Sequence, residues 1–342
     1  MARCWIVLVT VTFATLGLVA CSGDGDDAAG EDTGSVARPE IDAGGLAGRI
    51  AFMRGDASQE AGVTYTVDPD GSDERRLVPE GNSEFPTWSP DGTEIHVFCC
   101  SDGMVAHFVD PDTGELLRAL PLRDPSLELF CGGAWSPDGT RIACEGFGVK
   151  DQGLNGVYTI RASDGGGIQR ITSNPEGSDI PGDFSPDGER LIFARWVDDE
   201  PVGVFVTELA GSGLVQISPP DLMVDDAGFA GSWSPDASRI LFVGRASEGA
   251  HKEIWIVEAD GSSPRRFEMT PACGGSFSDD SSAGCYSPEW SPDGSMIVFT
   301  RSSWDGKTEN IYIVNADGTG ILQVTNGGYD DNPDWGMPPG GA

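Results

Sequence analysis

Between residues 49 and 336 the apolar positions fall in short runs, each following the same polar turn. Ile95-His-Val-Phe98, Ile142-Ala-Cys144, Leu191-Ile-Phe193, Ile240-Leu-Phe-Val243 and Ile297-Val-Phe-Thr300 are too short for helices and rich in branched and aromatic residues, which reads as β-strand. The turn ahead of them is an aromatic residue followed by Ser-Pro-Asp-Gly. It stands at Trp88–Gly92, Trp135–Gly139, Phe184–Gly188, Trp233–Ala237 (with Ala for Gly) and Trp290–Gly294. A clipped copy, Pro333-Asp-Trp-Gly336, closes the series. Proline fixes φ, aspartate hydrogen-bonds locally, and glycine serves a position that needs φ > 0.

The aromatic markers Trp88, Trp135, Phe184, Trp233, Trp290 and Trp335 are spaced by 47, 49, 49, 57 and 45 residues. A second turn recurs later in each unit, in Ile254-Trp-Ile-Val-Glu-Ala-Asp-Gly261 and Ile311-Tyr-Ile-Val-Asn-Ala-Asp-Gly318, with looser versions at Val157–Ile160 and Val204–Thr207. Strand, turn, strand, loop, strand, turn, strand gives four antiparallel strands per unit, and units of this length are propeller blades. Three strands precede the first full copy: Arg49–Met53, Val63–Asp68 and Arg75–Val78. The strand at Trp335 has no further strands after it. The expectation is an all-β, six-bladed propeller over residues 47–336, closed by a composite blade that joins the C-terminal strand to the three N-terminal ones.

Residues 1–20 read as a targeting segment: Arg3 is its one charge, Ile6–Val19 is apolar, and it ends in Leu18-Val-Ala-Cys21. This resembles a bacterial lipobox, which implies lipidation of Cys21 and an anchor on the outer side of the cytoplasmic membrane, or on the outer membrane facing the periplasm. The apolar run is shorter than the ~20 residues of a membrane span. Small and acidic residues fill 22–46, so residues 21–46 are expected to be a lipidated cysteine with a disordered tether, and 337–342 a disordered tail.

Charge narrows the partners. Fifty-five acidic residues against 21 Lys and Arg give a formal charge of −34, which repels nucleic acid and anionic lipid. Beyond Cys4 and Cys21 there are six cysteines, an even number that suits disulfides in an exported chain. Cys273 and Cys285 bracket the Gly/Ser/Asp-rich insertion that lengthens the fifth unit. Cys131 and Cys144 flank the second turn near cross-strand register; pairing with Cys99 or Cys100 of the neighbouring blade is an equal alternative. The cysteine spacings do not suit zinc.

The repeated (Trp/Phe)-Ser-Pro-Asp-Gly, the Ile-x-Phe strand after it and the Ala-Asp-Gly turn resemble the propeller repeats of the TolB family. The same repeat type occurs in prolyl-oligopeptidase-like peptidases and tricorn protease. The resemblance spans about residues 47–336 and implies the propeller fold. TolB itself carries an α/β domain ahead of its propeller, whereas here a tether is expected there.

Enzyme signatures are missing from the sequence. There is no Gly-x-Ser-x-Gly elbow and no His-Glu-x-x-His, and the three histidines, His96, His107 and His251, are scattered. Gly306-Lys-Thr308 lacks the leading glycine of a phosphate loop, and Asp68–Asp73 reads as a hairpin turn rather than a calcium loop. No cofactor is expected, with a calcium ion in the acidic channel as the alternative. The expected function is a non-catalytic binding or assembly scaffold for a protein, peptide or glycan. The competing class is a lyase or lactonase with a metal in the central channel.

Binding is expected on the face opposite the Ser-Pro-Asp-Gly turns, where the longer loops gather. Arg195 and Arg301 each follow their marker by 11 positions, Arg54 occupies the same strand position in the composite blade, and Arg245 lies one residue further on. Glu84, Asp179, Asp225, Asp226, Asp330 and Asp331 enter that face from inter-blade loops. Two readings stay open: the arginines and acids bind a ligand, or they pair with one another and set the loops. Trp196 and Trp304, just beyond Arg195 and Arg301, are candidate recognition anchors.

Overall fold

The computed structural model describes residues 41, 45–55, 62–77, 83–99, 105–121, 123–132, 134–224, 231–247, 250–269, 273, 284–303 and 308–337. Cys21, Trp304, Asp225 and Asp226 lie outside this set, as do Cys100 and the side chains of Glu84 and Cys99. Six antiparallel sheets follow one another along the chain. Blade 1 is composite: Asp330–Gly336 pairs with Arg49–Gly55, which pairs in turn with Gly62–Val67 and then Arg75–Arg76. Blade 2 runs Glu84–Trp88, Ile95–Cys99, Val105–Val109 and Leu116–Leu120. Blade 3 runs Leu127–Phe130, Arg141–Gly148, Gly156–Arg161 and Gln169–Arg170. Blade 4 runs Gly177–Phe184, Arg190–Val197, Glu200–Glu208 and Val215–Gln216. In blade 5 two segments, Met223–Val224 and Ser232–Trp233, pair with Arg239–Arg245, followed by Glu253–Glu258 and Arg265–Arg266. Blade 6 runs Cys285–Trp290, Met296–Ser302, Glu309–Asn315 and Ile321–Gln323. The chain is therefore the six-bladed propeller that the repeat predicts. Apart from Gly45, the helical residues among those described form one 3-10 turn, Gln152–Leu154.

The turns show why the motif repeats. In blade 3, Ser136 Oγ donates to Asp138 Oδ1 at 2.6 Å, which also accepts the Thr140 N–H and hydroxyl, while Ser136 Oγ accepts the Arg141 N–H at 2.9 Å. The Ser-to-Asp bond recurs at Ser89–Asp91, Ser185–Asp187, Ser234–Asp236 and Ser291–Asp293; at Asp187 the third partner is the Glu189 N–H alone. The closing residue is left-handed each time, with φ of 68–70° at Gly92, Gly139, Gly188 and Gly294 and 58° at Ala237. These bonds hold each turn aspartate below the ordinary carboxylate range, as at Asp236, where the Ser238 and Ser234 hydroxyls bring it to about 2.

The core lies in the seams between blades. Ile50, Phe52 and Val67 of blade 1 pack with Met296, Val298, Ile311, Ile313 and Val324 of blade 6 around Trp335. Trp135 of blade 3 packs against Phe108 of blade 2, ring centroids 5.5 Å apart. Closure is tight at the composite blade. Trp335 Nε1 donates to Ala47 O at 3.1 Å, and a Cβ on Gly336 would fall 2.0 Å from the Trp88 ring. Among the described residues two disulfides form: Cys131–Cys144 within blade 3, and Cys273–Cys285, which ties residue 273 to the inner strand of blade 6.

Candidate binding face and channel

On the face opposite the Ser-Pro-Asp-Gly turns, arginines stand on the second strand of blades 1, 4, 5 and 6, beside the inner strand. Arg195 stands cross-strand to Asp179, Arg54 to Asp330, Arg301 to Cys285 and Arg245 to Met223. Where the partner is aspartate, a two-pronged ion pair forms. Arg195 donates to both Asp179 oxygens at 2.7 Å, and Asp179 is fully buried. Thr172 Oγ1 and Asn174 Nδ2 add 2.5 Å and 3.1 Å bonds to the same carboxylate. Arg54 spans Asp330 and Glu74, with Nη2 at 3.0 Å from each. Burial works against the Arg54 charge, but the bonds to Asp330 and Glu74 outweigh it and raise its pKa above the ordinary value. Arg195 is raised likewise, first by its bonds to Asp179.

These pairs set loops. Asn174 also donates to the Ser178 and Trp196 carbonyls, so the segment joining blades 3 and 4 is pinned to Asp179 from two sides. Asp331 is engaged as well: it accepts from Thr300 Oγ1 at 2.8 Å and Ser287 Oγ at 3.1 Å, and burial raises its pKa. Arg301 lies over the Tyr312 ring at 5.7 Å. Trp196, expected at a loop tip, is instead a half-buried strand residue opposite Ser178 and Pro201, because the second strand of blade 4 continues to Val197. Of the expected set, the structure thus joins Arg54 with Asp330 and Arg195 with Asp179, and it brings Asp331 beside that first pair.

A second group was not foreseen. The residues just before the markers are, around the ring, Asp334, Thr87, Ala134, Asp183, Ser232 and Glu289. Five of them line a cavity of about 190 Å³ whose walls come from all six blades. Asp183 accepts the Trp233 N–H at 3.2 Å, Asp334 accepts the Trp88 N–H, and Glu289 accepts the Ser232 hydroxyl at 2.9 Å. The three residues line the cavity and are half-buried. Burial, first of all, pushes Asp183 and Asp334 up to about 7 and Glu289 well above the carboxylate range; their mutual repulsion adds to this at Asp183 and Glu289. The signal was there to read: aligning the repeats on their markers exposes acids in the column ahead of Phe184, Trp290 and Trp335. His96 is fully buried with both ring nitrogens unpartnered, and burial lowers its pKa to about 3.

Among the described residues no group of three His, Cys, Asp or Glu is placed to hold one metal ion. No helix among them is long and apolar enough to cross a membrane.

A ring of six blades, five of them carrying the Ser-Pro-Asp turn, with ion-paired loops on one face and an acid-lined channel defines the class: a six-bladed propeller of the repeat-turn kind. No protein-family model matches the chain. It is 31% identical over 126 residues to the Tol-Pal system protein TolB of Anaeromyxobacter dehalogenans strain 2CP-C, covering 36% of this chain and 26% of that relative. The match thus spans about a quarter of the relative's length. The fold matches the crystal structure of TolB from Acinetobacter baumannii with a TM-score of 0.64 at 20% identity, over 85% of this chain and 67% of the other. It also matches an oligogalacturonate lyase from Vibrio parahaemolyticus, with a TM-score of 0.52 at 12% identity, over 80% and 78%. In repeat and in fold the chain is similar to the propeller of TolB.

Proposed function

We propose that the chain is a lipid-anchored, extracytoplasmic propeller that acts as a binding or assembly scaffold, with no catalytic chemistry of its own. The observation that carries this is the use of charge on the loop face. Asp179–Arg195 and Asp330–Arg54 spend their charges on each other, and what they hold still is the loop backbone. A catalytic site needs reactive groups free to meet substrate, whereas a docking surface needs pre-set loops. The TolB-like repeat agrees with this reading, and Cys21 supplies the anchor.

Two measurements test it. Metabolic labelling with a fatty-acid analogue should mark the wild type and not Cys21→Ser, which should leave the membrane fraction; persistent labelling rejects the anchor. Site-specific photo-crosslinking from the loop beside Asn174 should trap a defined partner, and Arg195→Ala should lose it. The lyase fold of one structural relative gives the contrary outcome: release of unsaturated product from oligogalacturonides, with or without added manganese, would reject the scaffold reading.

A further inference from the structure

We propose that the channel cavity bounded by Asp183, Glu289 and Asp334 binds a small primary ammonium compound, such as a short-chain diamine. The cavity walls hold three carboxyls and no Lys, Arg or His. A carboxylate can accept about four hydrogen bonds. The donors that reach these three are the backbone N–H groups of Trp233 and Phe184 at Asp183, those of Trp88 and Trp335 at Asp334, and the Ser232 hydroxyl at Glu289. Acceptor capacity therefore stays open on every one, above all on Glu289. Independently of the acids, Thr87 is only 8% exposed, lines the same cavity, and leaves Oγ1 without a hydrogen-bond partner. A buried hydroxyl oxygen of that kind is costly unless a donor supplies it.

Size and spacing select the ligand. About 190 Å³ is below the ~300–1,000 Å³ of sites for drug-sized molecules, so the occupant is small. It also exceeds the share of one water or bare ion several times over, at ~30 Å³ per water. The acceptors come from three different blades, 1, 4 and 6, and no three-carboxyl metal cluster exists among the described residues. N–H donors at separate positions of one chain can reach them. Trp88 and Trp135 complete the walls with aromatic surface, which also attracts ammonium. Pro90, exposed at its turn, borders the cavity and marks the entry on the Ser-Pro-Asp-Gly side. The site is separate from the loop face and does not depend on a partner there.

The test is calorimetric titration of the full chain in detergent with putrescine, with butanediol and calcium chloride as comparators at matched ionic strength. Putrescine should bind saturably at one site and raise the melting temperature, and butanediol should do neither. Glu289→Gln should weaken putrescine by about tenfold or more, since a charged hydrogen bond is lost. Thr87→Val, which leaves every carboxyl in place, should weaken it severalfold. Absence of saturable putrescine binding overturns the proposal, as does calcium binding that putrescine fails to displace. If Glu289→Gln does not fold, Thr87→Val and Asp183→Asn decide the matter, and wild-type affinity in both overturns it.

Discussion

Arg190, at the start of the second strand of blade 4, lies over the indole of Trp233, the marker of blade 5, 4.6 Å from its ring. Arg239 repeats the arrangement one blade on, 4.8 Å from the ring of Trp290. The seam between blades 4 and 5 is thus joined twice from the same side, because Asp183 of blade 4 also accepts the Trp233 N–H. Gly182 makes this approach feasible: a Cβ there would lie 2.8 Å from the Gly231 carbonyl. Stacked guanidinium, backbone bond and close backbone contact together set one blade against the next.

Arg190→Ala should therefore destabilise the ring by about 1–2 kcal/mol, combining a lost cation–π contact with lost packing of the side-chain stem. Urea unfolding followed by tryptophan fluorescence measures it. Arg190→Met, which keeps the stem and removes the charge, should recover part of the loss. A full recovery would assign the whole effect to packing.

The buried pairs on the loop face should be costlier to break singly than together. Asp179→Asn strands Arg195 beside a neutral amide, and Arg195→Ala strands a fully buried carboxylate; each should cost about 3–5 kcal/mol. The double variant Asp179→Asn, Arg195→Ala should cost much less than the sum, with a coupling of about 1 kcal/mol or more in a double-mutant cycle. Additive effects would show that the two side chains act on the loops separately.

The blades were legible because their turns are built from neighbours in sequence. Ser136, Asp138 and Thr140 lie within five residues and close on one another, so the motif carries its own geometry. The strand-position match of Arg54 with Arg195 was legible too, since equal distance from a marker means equal register. What the arginines do was not. Arg54 meets Asp330 across 276 residues, and only ring closure brings them together. Trp196 misled because loop and strand differ there only in how far pairing extends, and Glu200–Glu208 is long enough to carry it. The channel acids escaped notice for a different reason. Which side of an inner strand faces the axis is fixed by the stacking of six blades, and no single repeat encodes it.

Ala237 is the one departure from glycine among the five full turns, and it adopts φ 58°. An L-residue pays a steric cost of about 1–2 kcal/mol there that glycine does not. Ala237→Gly should stabilise the protein by about 0.5–1 kcal/mol after the larger unfolded-state entropy of glycine is counted. Gly139→Ala, with the same φ sign and nothing within 4 Å of its Cβ, should destabilise by a similar amount. Thermal melts of the two variants should move in opposite directions; movement in the same direction would reject the turn argument.

Stability should depend on pH through two sets of buried groups of opposite sign. Asp183 and Asp334 have folded pKa values of about 7 against 3.8 when free, so between those values the folded chain binds more protons than the unfolded one. Their contribution is full below pH 3.8 and is lost as pH rises through about 7. His96 runs the other way: its folded value of about 3 lies below 6.5, so the unfolded chain binds the extra proton and stability falls as pH drops through that window. Single variants separate them. Relative to wild type, Asp334→Asn, whose side chain can still accept the Trp88 N–H, should gain on the order of 1–2 kcal/mol in going from about pH 5 to about pH 8. His96→Phe should gain relative to wild type in the opposite direction, from about pH 7 down to about pH 4, because no imidazole remains to charge in the unfolded chain. Urea midpoints across that range, converted with a common m-value, give the difference curves. Flat curves for Asp334→Asn would mean that the channel carboxyls are ionised at no cost, and that some cation already sits among them.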